Sequence, residues 1–363
     1  MPLKHSVLLS SLFFACLCLV IGSSHAARDT PSSDEVEVPI DYALLKEDKL
    51  RIYFCGTGIP QVTRQAIRRP PCLAVLTKNE FFVIDAGEGA SQTIAALGLP
   101  YMTIDKAFVT HWHSDHIGGL APLINNTWTA GRKTPFDVYG PYGVEDVMAG
   151  LRKAYALDAM FRAINVKGKL DLSLAFGTPK LVKQSQTPVK VYSKGDLELS
   201  SFSVSHEPVF PAVGYVLKYK GCKIVVSGDT SVVSTLAEAA KDADVLINEA
   251  FSQALNTESK SLSEIEALKT QDILATEHYH SKTYDLAQMA TASKVKRLFL
   301  THLDPPILPT QEDKNRFVAN MDKYYKGPIT VADDGDSLVI ESNGKNCNVQ
   351  YVPNTLIRDQ SHK

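Results

Sequence analysis

The sequence predicts an α/β fold, an αββα sandwich of two mixed β-sheets flanked by helices. Three observations lead there. Short β-branched and aromatic runs recur between turns rich in Gly, Pro and Asp, helical stretches alternate with them, and the same style is repeated in each half of the chain. The 363 residues, 44% hydrophobic and 21% charged, suffice for a sizeable core and exclude a disordered or polytopic membrane chain. The formal charge of -2 excludes whole-chain attraction to nucleic acid or anionic lipid, so any anion site must be local.

The chain opens with Lys4, an apolar run from Val7 to Ile21, and small residues Ser24 and Ala26 at cleavage spacing. Residues 1–26 therefore read as a secretory signal peptide, too short in its apolar part to span a bilayer. The expectation is a periplasmic or secreted protein with no stable membrane span after cleavage. Residues 27–47 are polar and acidic, a mature N-terminal arm, and 48–345 read as the folded domain.

Within that domain Leu50–Cys55, Cys72–Thr77 and Phe81–Asp85 read as strands, bounded by Gly, Pro, Lys-Asn and Asp-Ala-Gly punctuation. Ser91–Leu97 reads as a helix stopped by Gly98 and Pro100. Ala107–Thr110 and Phe136–Tyr139 are buried-type strands, and a helix follows from Gly143 to about Tyr155. The second half gives strands at Leu197–Val204, Val213–Tyr219, Lys223–Ser227, Val245–Asn248 and Arg297–Thr301, with helices at Thr235–Ala240 and Tyr284–Ala292. Between the halves, residues 157–196 carry Lys167, Lys169, Lys180, Lys183, Lys190 and Lys194 with poor periodicity, and read as a solvated insertion or arm. Residues 346–363 read as a C-terminal tail.

Export changes the meaning of the cysteines. Cys55, Cys72, Cys222 and Cys347 remain after cleavage, and an oxidising compartment allows three pairings. The strand layout favours Cys55 with Cys72, and four buried thiols are the competing reading. No Cys-x-x-Cys occurs, so no zinc knuckle is expected.

The chemistry concentrates in Thr110-His-Trp-His-Ser-Asp-His-Ile-Gly-Gly119, directly after a buried strand. On extended backbone, residues two apart face one way, so His111 and His113 can grip one metal. A turn after them lets Asp115 and His116 face a second. Two metals need more ligands, and these are expected at other strand ends, where a loop carries chemistry on a rigid base. His206, Asp229 and His302 stand at such ends. The assignment gives metal one His111, His113 and His206, metal two Asp115, His116 and His302, and makes Asp229 the bridge. Imidazole and carboxylate donors suit two zinc ions, with iron or manganese as alternatives. Two divalent ions, less Asp115, Asp229 and a bridging hydroxide, leave about +1 at the site, which attracts a small anionic ester.

This pattern resembles the metallo-β-lactamase superfamily over most of residues 50–340, and within it the ribonuclease Z and arylsulfatase-like branch. Cys55-Gly-Thr-Gly58, Asp85-Ala-Gly-Glu88-Gly89 and Gly140-Pro-Tyr-Gly143 resemble that branch's turns, and Glu249 and His280-Ser281 match further family positions. The resemblance implies the αββα fold, a dinuclear zinc hydrolase, and a homodimer as in many relatives. It also implies that His280, oriented by Glu249, protonates a leaving group, while Asp115 accepts a proton and the bridging hydroxide is the nucleophile. His278 has no motif match and reads as a surface residue or one supporting the ligands from behind, not as a third ligand. The expected substrate is a phosphodiester or aryl sulfate. A lactone or β-lactam is an alternative, disfavoured because the commonest β-lactamases of this type carry Cys where Asp229 stands. RNA processing is another, disfavoured by the signal peptide. A metal-binding scaffold without catalysis ranks last, because every ligand is present.

Overall fold

The computed structural model of the chain describes residues 39–60, 68–255 and 277–354. The expected signal peptide, the arm as far as residue 38, and the expected tail beyond residue 354 lie outside the described residues. Within the arm, Tyr42–Lys46 forms a 3-10 helix whose Leu44 and Leu45 pack on the core. Among the described residues, no helix is long and apolar enough to cross a membrane.

Two mixed sheets pack face to face. In the first, β1 (Leu50–Gly56), β2 (Cys72–Thr77) and β3 (Glu80–Ile84) form an antiparallel meander, and β4 (Lys106–Phe108), β5 (Phe136–Gly140) and β6 (Gly177–Leu181) continue it in parallel. In the second, β7 (Val189–Lys194), β8 (Leu197–Ser203), β9 (Val213–Tyr219) and β10 (Cys222–Val226) are antiparallel, and β11 (Val245–Phe251), β12 (Leu298–Asp304) and β13 (Ile329–Val331) run parallel. The chain then returns to the first sheet as β14 (Ser337–Ser342) and β15 (Cys347–Val352), antiparallel to one another and joined to β1.

The strands are apolar because both faces are covered. Phe54, Phe82 and Phe108 meet Tyr215, Ile224 and Ile247 between the sheets. On the outer face of the first sheet lie α1 (Ala90–Ala96), α3 (Leu120–Thr129) and α4 (Val144–Asn165), beyond the one-turn α2 (Ser114–Ile117). The second sheet is covered by α5 (Ser234–Ala240), α6 (Thr283–Ala292) and α7 (Gln311–Phe317), whose Leu236, Leu286 and Phe317 are fully buried. Such double coverage explains why β2, with all six residues buried, reads as an unbroken apolar run.

The expected insertion at 157–196 is corrected. Its first part is the end of α4, which runs on to Asn165 because Ala, Leu and Met sustain a helix and no Gly or Pro intervenes before Gly168. The rest supplies β6 and β7, one edge strand for each sheet. Their lysines belong to strand edges, where charge discourages pairing with another chain. The expected tail from 346 is corrected as well, because Asn343-Gly344 turns the chain back and Cys347–Val352 pairs along β14.

Candidate metal centre

The candidate ligands gather where strands of both sheets end, and the local backbone explains their aim. His111 and His113 follow β4 in extended conformation, and α2 then turns Asp115 and His116 back toward them. That turn sits tightly on the Asp85–Gly89 loop. A side chain at Gly119 would lie 2.1 Å from the Gly87 carbonyl oxygen, and one at Gly87 only 2.5 Å from the Asp115 carbonyl oxygen. His206 and Asp229 follow β8 and β10. His302 lies inside β12, where the register against β11 slips by one residue, and its φ of 44° marks it as the bulged position. A bulge of this kind re-aims a side chain out of the sheet, at a backbone cost of about 1–3 kcal/mol.

The donors converge in two groups. His111 Nε2 and His206 Nε2 lie 3.0 and 3.2 Å from His113 Nδ1, and 3.9 and 3.7 Å from Asp229 Oδ2. In the second group, Asp115 Oδ2 is 3.5 Å from His116 Nε2 and 3.4 Å from His302 Nε2. Asp229 Oδ2 reaches this group too, at 3.3 Å from His116 Nε2 and 3.1 Å from His302 Nε2. Donors around one tetrahedral zinc at bond lengths near 2.0–2.1 Å stand about 3.3 Å apart. The observed separations fit that spacing, and Asp229 reaches both groups. His113 is partly exposed, and the other candidate ligands are buried.

The electrostatics also ask for a cation. Burial pushes His111 well below the usual imidazole range, and His116 adds to the effect, so His111 offers a neutral lone pair. Burial works against His116 as well, yet Asp229, Asp85 and Asp115 outweigh it and hold this imidazole well above its usual range. Among the described residues, buried His116 Nε2 has carboxylate oxygens 3.3 and 3.5 Å away but makes no well-directed hydrogen bond. An orphaned donor atom among carboxylates, surrounded by convergent imidazoles, fits a metal pair. Another gathering, of Cys222, Asp244 and Cys347, offers no thiolate, because its two sulfurs are joined.

Behind the donors stands a layer that fixes their rings. Asp85 takes a left-handed φ of 57°. Its carboxylate accepts from His116 Nδ1, from the Thr110 hydroxyl and from the Thr110 backbone, each at 2.8 Å. The Tyr279 carbonyl accepts from His206 Nδ1 at 3.2 Å. Such partners set the tautomer and orientation of ligating imidazoles. Sequence reasoning placed Asp85 only at a strand end and in a glycine turn, and no local spacing marks it as the partner of His116.

Glu249 and His280 come together at the same rim. Glu249 Oε1 lies 3.0 Å from His280 Nδ1 and also accepts from the Ser281 and Thr230 backbone at 2.8 and 3.1 Å. Burial opposes charge on His280, but Glu249 prevails and carries it up to about 9. The His280 ring stacks 5.3 Å from that of His302. His278 is exposed.

Residues 68–302 match the Metallo-beta-lactamase superfamily, and the chain belongs to it. Ribonuclease Z of Mycolicibacterium gilvum (strain PYR-GCK) is 29% identical over 288 residues, covering 78% of this chain and 94% of the relative. Ribonuclease Z of Mycobacterium bovis (strain BCG / Pasteur 1173P2) is 27% identical over 78% of this chain and 96% of its own. Among solved structures, the metallo-beta-lactamase fold protein YhfI from Bacillus subtilis superposes with a TM-score of 0.58 at 14% identity, over 80% of this chain and all of that one (100%). Human tRNase Z, short form, gives 0.55 at 23% identity, over 79% and 98%. The αββα fold and membership of a metal-dependent hydrolase superfamily are thereby shared.

Proposed function

We propose that the protein is an exported phosphodiesterase with a dinuclear metal centre, zinc being the ion its donors suit. The observation that carries this reading is the pairing of His280 with Glu249 beside two convergent donor groups. His111, His113 and His206 would hold one ion, Asp115, His116 and His302 the other, with Asp229 shared. When bound, the metal pair supplies Lewis-acid charge and lowers the pKa of water toward neutrality.

The remaining work falls to the chain. Leaving groups in ester cleavage depart as alkoxides or phenoxides, which a nearby proton donor stabilises. His280 holds that proton on Nε2 while its Nδ1 is tied to Glu249. Glu249 cannot swing away, since Ser281 and Thr230 backbone amides grip the same oxygen. In this scheme Asp115 receives the proton of the attacking water. Aryl sulfate esters share the leaving-group chemistry and are a secondary substrate class.

A second reading, RNA 3′ endonuclease, is favoured by the relatives named ribonuclease Z, which align along 78% of the chain. The signal peptide expected from the sequence weighs against it, since precursor transfer RNA is not found outside the cytoplasm. The two are separated by offering the zinc-loaded protein bis(p-nitrophenyl) phosphate and a precursor transfer RNA. Turnover of the small diester is the expected result, and in His280→Ala hydrolysis of diphenyl phosphate, whose leaving group is poorer, falls by about 10²–10⁴-fold. Efficient, site-specific RNA cleavage with no small-diester activity would replace the first reading with the second.

A further inference from the structure

Tyr279 is not used by the mechanism above, yet it stands between its two ends. Its ring lies 5.1 Å from the His206 ring, edge-on at 78°, and 4.9 Å from the His280 ring. It is only partly buried. Its backbone carbonyl, not its side chain, holds His206. Among the described residues its hydroxyl makes no hydrogen bond, so the phenol is not retained there to satisfy a buried partner. A part-exposed aromatic face beside the group that protonates the departing oxygen is a stacking platform for whatever that oxygen carries.

We infer that Tyr279 is a specificity-determining residue that stacks on a planar aromatic group, aryl or nucleobase, on the leaving-group side of the substrate. The inference rests on the phosphodiesterase reading for which group departs, but not for the stacking itself. An alkyl leaving group gains only apolar contact from the ring. An aromatic one gains offset or edge-to-face stacking, which corresponds to about 3- to 10-fold in affinity.

The test is equilibrium binding of phenylphosphonate, thymidine 5′-monophosphate and methylphosphonate to the zinc-loaded protein, followed by calorimetry. Phenylphosphonate, the nucleotide or both bind about 3- to 10-fold tighter than methylphosphonate to the native chain. Which of the two does so identifies the source of the ring. Tyr279→Phe keeps the preference and Tyr279→Ala loses it, each affinity being taken relative to that variant's own methylphosphonate affinity. A preference that survives in Tyr279→Ala, or none in the native chain, overturns the inference. Hydrolysis of bis(p-nitrophenyl) phosphate is measured in parallel. Its absence alongside an intact Tyr279-dependent preference contradicts the phosphodiesterase reading alone, whereas turnover without any ring preference contradicts the stacking alone.

Discussion

Asp85 shows how a single side chain positions a candidate metal ligand. It is buried and sits at the end of β3 with left-handed backbone, and one carboxylate serves both His116 and Thr110. Asp85→Asn keeps the shape but replaces an acceptor oxygen with an amide, so the His116 imidazole loses the partner that fixes its tautomer. Partners of this kind are worth about 10–100-fold in metal affinity. The expected outcome is a folded protein whose zinc affinity, measured by competition with a chelator, falls by about that factor. At this scale the sequence was legible where donors are neighbours, as in His111 to His116, and where one donor ends one strand, as in Asp229. It was silent on Asp85, because that role depends on β3 lying beside β4 and on a turn that no local spacing encodes.

Among the elements, β3 and β7 are joined across the sandwich by a buried ionic clasp. Glu80 on β3 accepts from the Tyr192 hydroxyl at 2.6 Å, pairs with Lys106 at 3.1 Å, and is held by Lys194 as well. Burial alone would raise this carboxyl, but Lys194, Tyr192 and Lys106 together bring it below its ordinary value of 4.5. A lowered folded-state value means that the unfolded chain binds the extra proton. The clasp therefore stabilises fully above pH 4.5 and loses its effect as pH falls below that. Glu80→Gln is expected to reduce stability by about 1–3 kcal/mol in urea at pH 7, with the difference from the native chain shrinking in acid. Equal losses at both pH values would contradict the ionic account. This clasp also explains why β7 escaped the sequence reading. Lys190 stands between Val189 and Val191, and with Lys194, which reaches Glu80, and the exposure of most of the strand's side chains it gives the segment the look of a solvated arm.

For the molecule as a whole, the two sheets are tied where the chain ends. Cys222 on β10 bonds Cys347 on β15 across 125 residues, and Cys55 bonds Cys72 between adjacent strands 17 residues apart. The pairing of Cys55 with Cys72 follows from strands that meet in a hairpin. That of Cys222 with Cys347 could not be read, because β15 is a short, mostly exposed edge strand that carries little apolar signal. In the chain-entropy view the longer loop constrains the unfolded chain by about 5 kcal/mol and the shorter by about 3. Cys222→Ser with Cys347→Ser should therefore lower the urea midpoint more than Cys55→Ser with Cys72→Ser, and the reverse order would show that the inter-sheet bond is not the principal staple. Strands mixed with helices were legible as two similar halves, and the candidate ligands follow β4, β8 and β10 or sit at the bulge of β12.

That rim is where the account stands or falls, and native mass spectrometry of the folded chain after zinc loading and desalting measures it. Two zinc ions per chain in the native protein, with loss of at least one in Asp229→Ala, is the result the two donor groups require. A folded native chain that retains fewer than two, or an Asp229→Ala chain that still holds both, would contradict the shared dinuclear centre.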